Sequence, residues 1–292
     1  MSGPIPTRPL LRWHGGKWRL APWIIAHFPP HRVYVEPFGG AASVLMRKPR
    51  AYAEIYNDLD DDLVALFRLL RDPPSAAELV RRLRLTPFAR SEFDAAYSND
   101  GDAIEVARRM IVRSFMGFGS DSTAGHYRTG FRCTSNRSGT TPAHDWANYH
   151  DALLATIERL SGVVIEHAPA GDVMRRFDGP DVLHYVDPPY LPETRSSGNR
   201  RRCGPGTPGH AVYRHELTDS DHEALLGQLG ELTGMVVLSG YPADKYDQAL
   251  PGWERVERRA YADGAAPRTE VLWINPACWA RIRETGLFEV AA

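Results

Sequence analysis

The chain has 292 residues, 43% of them apolar, enough for a substantial core in one large domain or in one domain carrying a sizeable insertion. Its formal net charge of -1 speaks against nucleic-acid binding by bulk charge, so any polyanion has to be met by local clusters. No apolar run approaches membrane-spanning length, residues 1–11 lack the apolar stretch of a secretory leader, and Cys133, Cys203 and Cys278 are too far apart for a disulfide framework or a zinc site, so a soluble intracellular protein is expected.

Taken in chain order, the first feature is a basic stretch, Arg8, Arg12, Lys17 and Arg19, enclosing Trp13-His14-Gly15-Gly16-Lys17. A phosphate loop would need a hydroxyl after the lysine, and Trp18 stands there instead. The pattern suits a grip on a small zwitterion, with the lysine meeting its carboxylate. Val33 to Glu36 then reads as a buried strand that ends in an acid and turns through Gly39-Gly40 into a short helix, Ala41 to Lys48. The dinucleotide fingerprint G-x-G-x-x-G is absent. A second strand, Ala53 to Asp58, ends in an acid placed either to accept from ribose hydroxyls or to cap a helix from Leu59. That helix shows one face of Leu59, Leu63, Phe67 and Leu70 and is broken by Pro73-Pro74.

From about Asp72 to Tyr149 the alternation of strands and helices stops. Ala103 to Met116 is a clear helix, followed by a Gly-, Ser- and Arg-rich stretch, 117–141, expected as a basic hairpin or loop. Residues 72–149 are therefore predicted as an inserted subdomain, for DNA recognition or as a lid, with 1–71 and 150–292 forming the main domain. The alternation resumes with a strand at Val163 to Glu166, the segment Gly171-Asp172-Val173, and a strand at Val182 to Asp187. A Gly-, Pro- and Arg-rich loop, 193–209, follows. A helix opened by a Thr218 and Asp221 capping box runs through Leu225, Leu226, Leu229 and Leu232 to Gly234, ahead of a strand at Met235 to Ser239. Glu254 to Ala260 and Thr269 to Asn275, joined through Asp263-Gly264, read as a closing hairpin. Such an order predicts an α/β fold, a doubly wound open sheet.

The most informative segment is His184-Tyr185-Val186-Asp187-Pro188-Pro189-Tyr190. Two prolines directly after a buried strand fix the backbone and stop a helix from starting, which holds Asp187 and Tyr190 in a defined loop at the strand's carboxyl end, where ligands bind in open α/β sheets. Trp13-x-Gly15-Gly16-Lys17, Glu36-Pro37-Phe38-x-Gly40, Asn57-Asp58 and Asp187-Pro188-Pro189-Tyr190, in that order, resemble the D12 class of DNA adenine-N6 methyltransferases, the Dam-type alpha group. The resemblance covers nearly the whole chain, although the insertion carries no matching motif.

The resemblance implies a Rossmann-like, seven-stranded mixed sheet with an inserted, mainly helical DNA-binding subdomain. It implies S-adenosylmethionine as methyl donor and S-adenosylhomocysteine as product, with Trp13, Lys17, Glu36, Pro37, Phe38, Gly40, Asp58 and Asp187 as cofactor residues. Asp172 is a further candidate, as an acceptor for the cofactor's adenine amino group. Gly39 matches less well than Gly40, because that position varies in the family. The catalytic set is Asp187, the Pro188 carbonyl and Tyr190. The first two accept N–H bonds from the amino group of a flipped-out base and the tyrosine stacks on it. Direct in-line transfer requires neither metal nor covalent intermediate, so no metal site is expected. Arg113, Arg128, Arg132, Arg137 and Arg195 are expected on the phosphates of double-stranded DNA. A monomer, or alternatively a dimer, with no obligatory protein partner and no membrane association is expected, cytoplasmic and either bacterial or phage-encoded. The alternatives left open are a cytosine-N4 methyltransferase, a non-catalytic DNA-binding protein on the same sheet, and an RNA substrate.

Overall fold

The computed structural model describes residues 5–98, 100–119, 123, 128–133, 140–191, 215–261 and 267–286. Arg137, Arg195, Cys203, the 193–209 loop, the Asp263-Gly264 turn and much of 117–141 lie outside the described residues.

In chain order the elements are α1 (Ala21–Ile25), β1 (Val33–Glu36), α2 (Ser43–Arg47), β2 (Ala53–Asn57), α3 (Asp61–Arg71), α4 (Pro73–Leu85), α5 (Arg90–Ala95), α6 (Ala103–Met116), α7 (Pro142–Ala147), α8 (Tyr149–Leu160), β3 (Val163–Glu166), α9 (Ala170–Arg176), β4 (Val182–Val186), α10 (Asp219–Glu231), β5 (Met235–Gly240), α11 (Asp244–Ala249), β6 (Glu254–Tyr261), β7 (Pro267–Ile274) and α12 (Pro276–Glu284). The strands form one seven-stranded sheet in the order β3-β2-β1-β4-β5-β7-β6. β1 pairs in parallel with β2 and β4, and β4 with β5, whereas β7 runs antiparallel to both β5 and β6. The expected α/β sheet is thus present, mixed because the closing hairpin β6–β7 is inserted beside β5.

The chain divides into two packed units, one of residues 1–21, 40–49 and 60–165, the other of residues 22–39, 50–59 and 166–292. The first is helical apart from the start of β3, and it contains all of 72–149. Its core is built by the apolar faces of α3 (Leu63, Phe67, Leu70), α4 (Leu79, Leu83), α6 (Met110, Ile111) and α8 (Leu153, Leu160), all buried. The proline pair does more than break a helix. Asp72 caps α4 by accepting from the Ser75 N–H, and Pro73 and Pro74 occupy the first helical positions, where a missing N–H costs nothing. Leu59 stands ahead of α3 and is exposed. The cap of α3 is Asp60, accepting from the amides of Asp62 and Leu63, and not Asp58.

In the second unit the strands carry two different faces. Val35 pairs with His184, Val186 with Leu238 and Leu238 with Trp273, so by strand alternation these share one side. There Val186, Val236, Leu238, Val271 and Trp273 pack with Met174 of α9, Leu225, Leu226 and Leu229 of α10 and Tyr246 of α11. Burying such a side chain contributes roughly 1.5–3 kcal/mol each. α10 opens with the anticipated capping box between Thr218 and Asp221.

Candidate active site

The other face of the second unit's sheet carries polar side chains near its carboxyl edge. The registers Glu36↔Tyr56, Tyr34↔Leu183, Tyr185↔Val237 and Ser239↔Leu272 place Tyr34, Glu36, Tyr185, Asp187, Ser239 and Glu270 on that one side. Glu36 is only 2% exposed, and its Oε2 accepts from the Tyr34 hydroxyl at 2.7 Å. The Tyr34 phenol is pushed well above its ordinary pKa, first by burial and then by the Glu36 charge, so it stays a proton donor.

Beyond β4 the chain runs through Asp187, half-buried, and Pro188, buried, to Tyr190. Asp187 Oδ1 accepts from Ser239 Oγ of β5 at 2.7 Å, and Ser239 Oγ lies 3.1 Å from the Tyr185 hydroxyl. Tyr190 donates its hydroxyl to Glu270 Oε2 of β7 at 3.0 Å and meets Tyr241 edge-on, with ring centroids 4.6 Å apart. The Arg268 guanidinium lies 5.8 Å from the centroid of the Tyr241 ring. Asp187 and Tyr190 are therefore each held by a residue of another strand.

Asn57, fully buried at the end of β2, ties the neighbouring loops together. Its Nδ2 donates to the Pro37 carbonyl at 2.8 Å and the Ala168 carbonyl at 3.0 Å, and its Oδ1 accepts from the Ala168 N–H at 3.0 Å. The Gly39 N–H donates to the Asn57 carbonyl at 2.8 Å. Gly39 is constrained by space: a Cβ there would lie 2.2 Å from the Tyr56 ring. Phe38 packs at the margin of the apolar cluster under the sheet. Asp58 follows β2 and is half-buried. Asp172 lies elsewhere on the surface, in the first turn of α9, exposed and paired with Arg175 of its own helix.

In the first unit the Trp13 to Lys17 segment is a tight turn, with Gly16 N–H donating to the Trp13 carbonyl at 3.1 Å and Gly15 at φ 72°. Lys17 is buried and its Nζ donates to the Gly15 carbonyl at 2.8 Å. Gly40 has φ 49°, and a Cβ there would come within 3.1 Å of the Trp13 indole. Trp13 and Gly40, 27 positions apart by number, are thus brought face to face. The predicted DNA arginines described in this unit bond to groups of the unit itself. Arg113 donates to the Ala96 carbonyl at 2.6 Å, and Arg132 meets Asp145 at 3.3 Å. Arg128 is exposed, donating to the Asp94 carbonyl with its guanidinium over the Tyr97 ring. An antiparallel bridge between Gly117 and Phe131 closes the described base of the 117–141 stretch.

Sequence reasoning did not single out Ser239, Tyr185, Glu270 or Tyr241. Ser239 carried one usable signal, since it lies at the carboxyl end of a buried apolar run, as Asp187 does. Among the described residues no group of three or more His, Cys, Asp and Glu side chains is placed to hold a metal ion, and no helix is long and apolar enough to cross a membrane.

Residues 13–200 match the family model described as D12 class N6 adenine-specific DNA methyltransferase. Over 70 residues the chain is 39% identical to a protein named DNA adenine methylase in Vibrio cholerae serotype O1 (strain ATCC 39541 / Classical Ogawa 395 / O395), and equally to that of strain ATCC 39315 / El Tor Inaba N16961. The aligned part is 24% of this chain and 24% of each relative, so the match spans about a quarter of their length.

Proposed function

The chain belongs to the D12 class of N6 adenine-specific DNA methyltransferases, and on that premise we propose that it methylates the N6 amino group of adenine in double-stranded DNA, with S-adenosylmethionine as donor. The observation that carries this is the pair Asp187 and Tyr190 at the carboxyl end of β4, one anchored by Ser239 and the other by Glu270.

The donor supplies, when bound, a methyl group on an electrophilic sulfonium centre. The residues present fit such a group, since the buried Glu36 carboxylate favours a neighbouring cation and Asp58 suits ribose hydroxyls. The family resemblance also assigns to the donor Trp13 and Lys17 of the first unit's turn, and Gly40, which lies against the Trp13 indole. Pro37 and Phe38 are assigned to it through the loop that Asn57 fixes. Asp172 is the weakest member of the set, because Arg175 already occupies its carboxylate.

The lone pair of N6 is delocalised into the adenine ring, so the amino group is a poor nucleophile. A carboxylate oxygen of Asp187 accepting one N6–H, with the Pro188 carbonyl accepting the other, favours a pyramidal nitrogen and the positive charge that grows on it. In exchange for methyl, N6 gives up the proton of the N–H held by Asp187 to that carboxylate, which is half-buried and passes it on to water. Tyr190 stacks on the base, offsetting the few kcal/mol that flipping costs. Arg128, together with Arg113, Arg132, Arg137 and Arg195, would meet DNA phosphates, and 72–149 would form the recognition element.

The test is to incubate purified protein, labelled S-adenosylmethionine and mixed-sequence duplex, then digest the product to nucleosides. Labelled N6-methyladenine is expected, and Asp187→Ala should abolish it while the circular dichroism spectrum is unchanged. N4-methylcytosine as the sole product, label in RNA in preference to DNA, or full activity of Asp187→Ala would overturn the assignment. Modification-sensitive sequencing of the same product gives the recognition sequence.

A further inference from the structure

Two hydroxyls behind Asp187 line up with it. Ser239 Oγ has one proton and three possible acceptors in range, Asp187 Oδ1 at 2.7 Å, the Tyr185 hydroxyl at 3.1 Å and the Val186 carbonyl at 3.4 Å. The shortest, charge-assisted bond takes the proton. Ser239 Oγ can then only accept from the Tyr185 hydroxyl at 3.1 Å, so that hydroxyl is the donor. Tyr185 and Ser239 are each 1% exposed, so no bulk water competes for either group. Burial first, and the Asp187 charge second, push the Tyr185 phenol well above its ordinary pKa, which keeps its proton in place.

The polarity of the chain is therefore set from its buried end. From the structure we infer that Tyr185 and Ser239 form a one-way hydrogen-bond relay that positions the Asp187 carboxylate as an acceptor for the amino group of the target base. This rests on the proposed methyl transfer and adds two positioning residues that touch neither base nor donor. The relay acts in two ways. It fixes the carboxylate's rotation, because Oδ1 is tied to a side chain on the adjacent parallel strand. It also occupies one lone pair of Oδ1 from behind, since Ser239 Oγ donates to that oxygen at 2.7 Å, which leaves the rest of the carboxylate to accept from the base. Bonds in such a line polarise one another, so the Tyr185 phenol strengthens the Ser239 bond at a distance.

Four variants test this on the duplex whose sequence the preceding experiment identifies: Ser239→Ala, Ser239→Thr, Tyr185→Phe, and the double variant Ser239→Ala with Tyr185→Phe. Single-turnover methyl transfer should fall about 10- to 100-fold in Ser239→Ala, the range expected for one charge-assisted bond. Donor affinity and KM for DNA should stay within about 2-fold of wild type, since an interaction made chiefly in the transition state shows in kcat. Ser239→Thr, which keeps a hydroxyl, should recover most of the rate. Tyr185→Phe should lose less than Ser239→Ala, and the double variant should be no slower than Ser239→Ala alone, because the phenol acts only through the serine.

Wild-type rate in Ser239→Ala, losses confined to KM, no recovery in Ser239→Thr, or multiplicative losses in the double variant would overturn the relay. If the wild-type protein methylates no base, the proposed function fails, and the relay is then decided by urea unfolding of the same set. Non-additive destabilisation by Ser239→Ala and Tyr185→Phe supports it, and additive destabilisation overturns it.

Discussion

Replacing Asn57 by alanine should loosen the turn after β1. The side chain makes three hydrogen bonds, to the Pro37 carbonyl, the Ala168 carbonyl and the Ala168 N–H, and is fully buried. At about 0.5–1.5 kcal/mol net for each bond, the loss is about 2–4 kcal/mol, at the upper end where the abandoned backbone groups find no water. The assay is urea unfolding at pH 7 followed by circular dichroism, with donor binding measured in parallel. A loss below about 0.5 kcal/mol would refute the reasoning, since it would mean that the three bonds are worth no more than their exchange with water. Asn57→Asp gives a sharper version. The new carboxyl would face two carbonyl oxygens in a buried place, so its folded pKa would lie above its unfolded value of about 3.9. A group with a raised folded pKa contributes stability that is present below the unfolded pKa and lost as pH rises through the folded one. The gap between Asn57→Asp and wild type should therefore widen from pH 5 to pH 8. An equal gap at both would show that the carboxyl had escaped to solvent.

Gly39→Ala should destabilise by about 1–3 kcal/mol or more, because its Cβ meets the buried Tyr56 ring at 2.2 Å, and a thermal midpoint equal to wild type would contradict this. Tyr190→Phe removes the bond to Glu270 while keeping the ring, so methylation should slow about 2- to 12-fold with donor affinity unchanged. Glu270→Ala should add little in the Tyr190→Phe background, and independent losses would show that Glu270 acts elsewhere. Burial lowers the pKa of His184, with Asp178 opposing, so its contribution to stability is present above the unfolded value of about 6.5 and is lost as pH falls through the depressed folded value. Urea midpoints between pH 7 and pH 5 should accordingly fall less steeply in His184→Gln than in wild type.

Features set by neighbours along the chain were legible in the sequence. β1 and α6 occupy the predicted spans, because apolar period and flanking turn residues are local signals. The Thr218 and Asp221 capping box was legible for the same reason. Helix starts were less so. Asp58 and Asp60 are both able to cap α3, and where the chain leaves β2 decides for Asp60. Gly39 looked less constrained than Gly40, since only the fold puts the Tyr56 ring against it.

The order of motifs ending in Asp187-Pro188-Pro189-Tyr190 determined the family and the chemistry to look for, because those residues act through their own side chains at a strand's carboxyl end. Only the tertiary structure decided what holds them. Ser239 is 52 positions from Asp187 and Glu270 is 80 from Tyr190, and each pair meets because β5 lies parallel to β4 while β7 returns antiparallel to β5. Strand register is a property of the whole sheet, settled by which apolar face is buried, and no local run of residues encodes it.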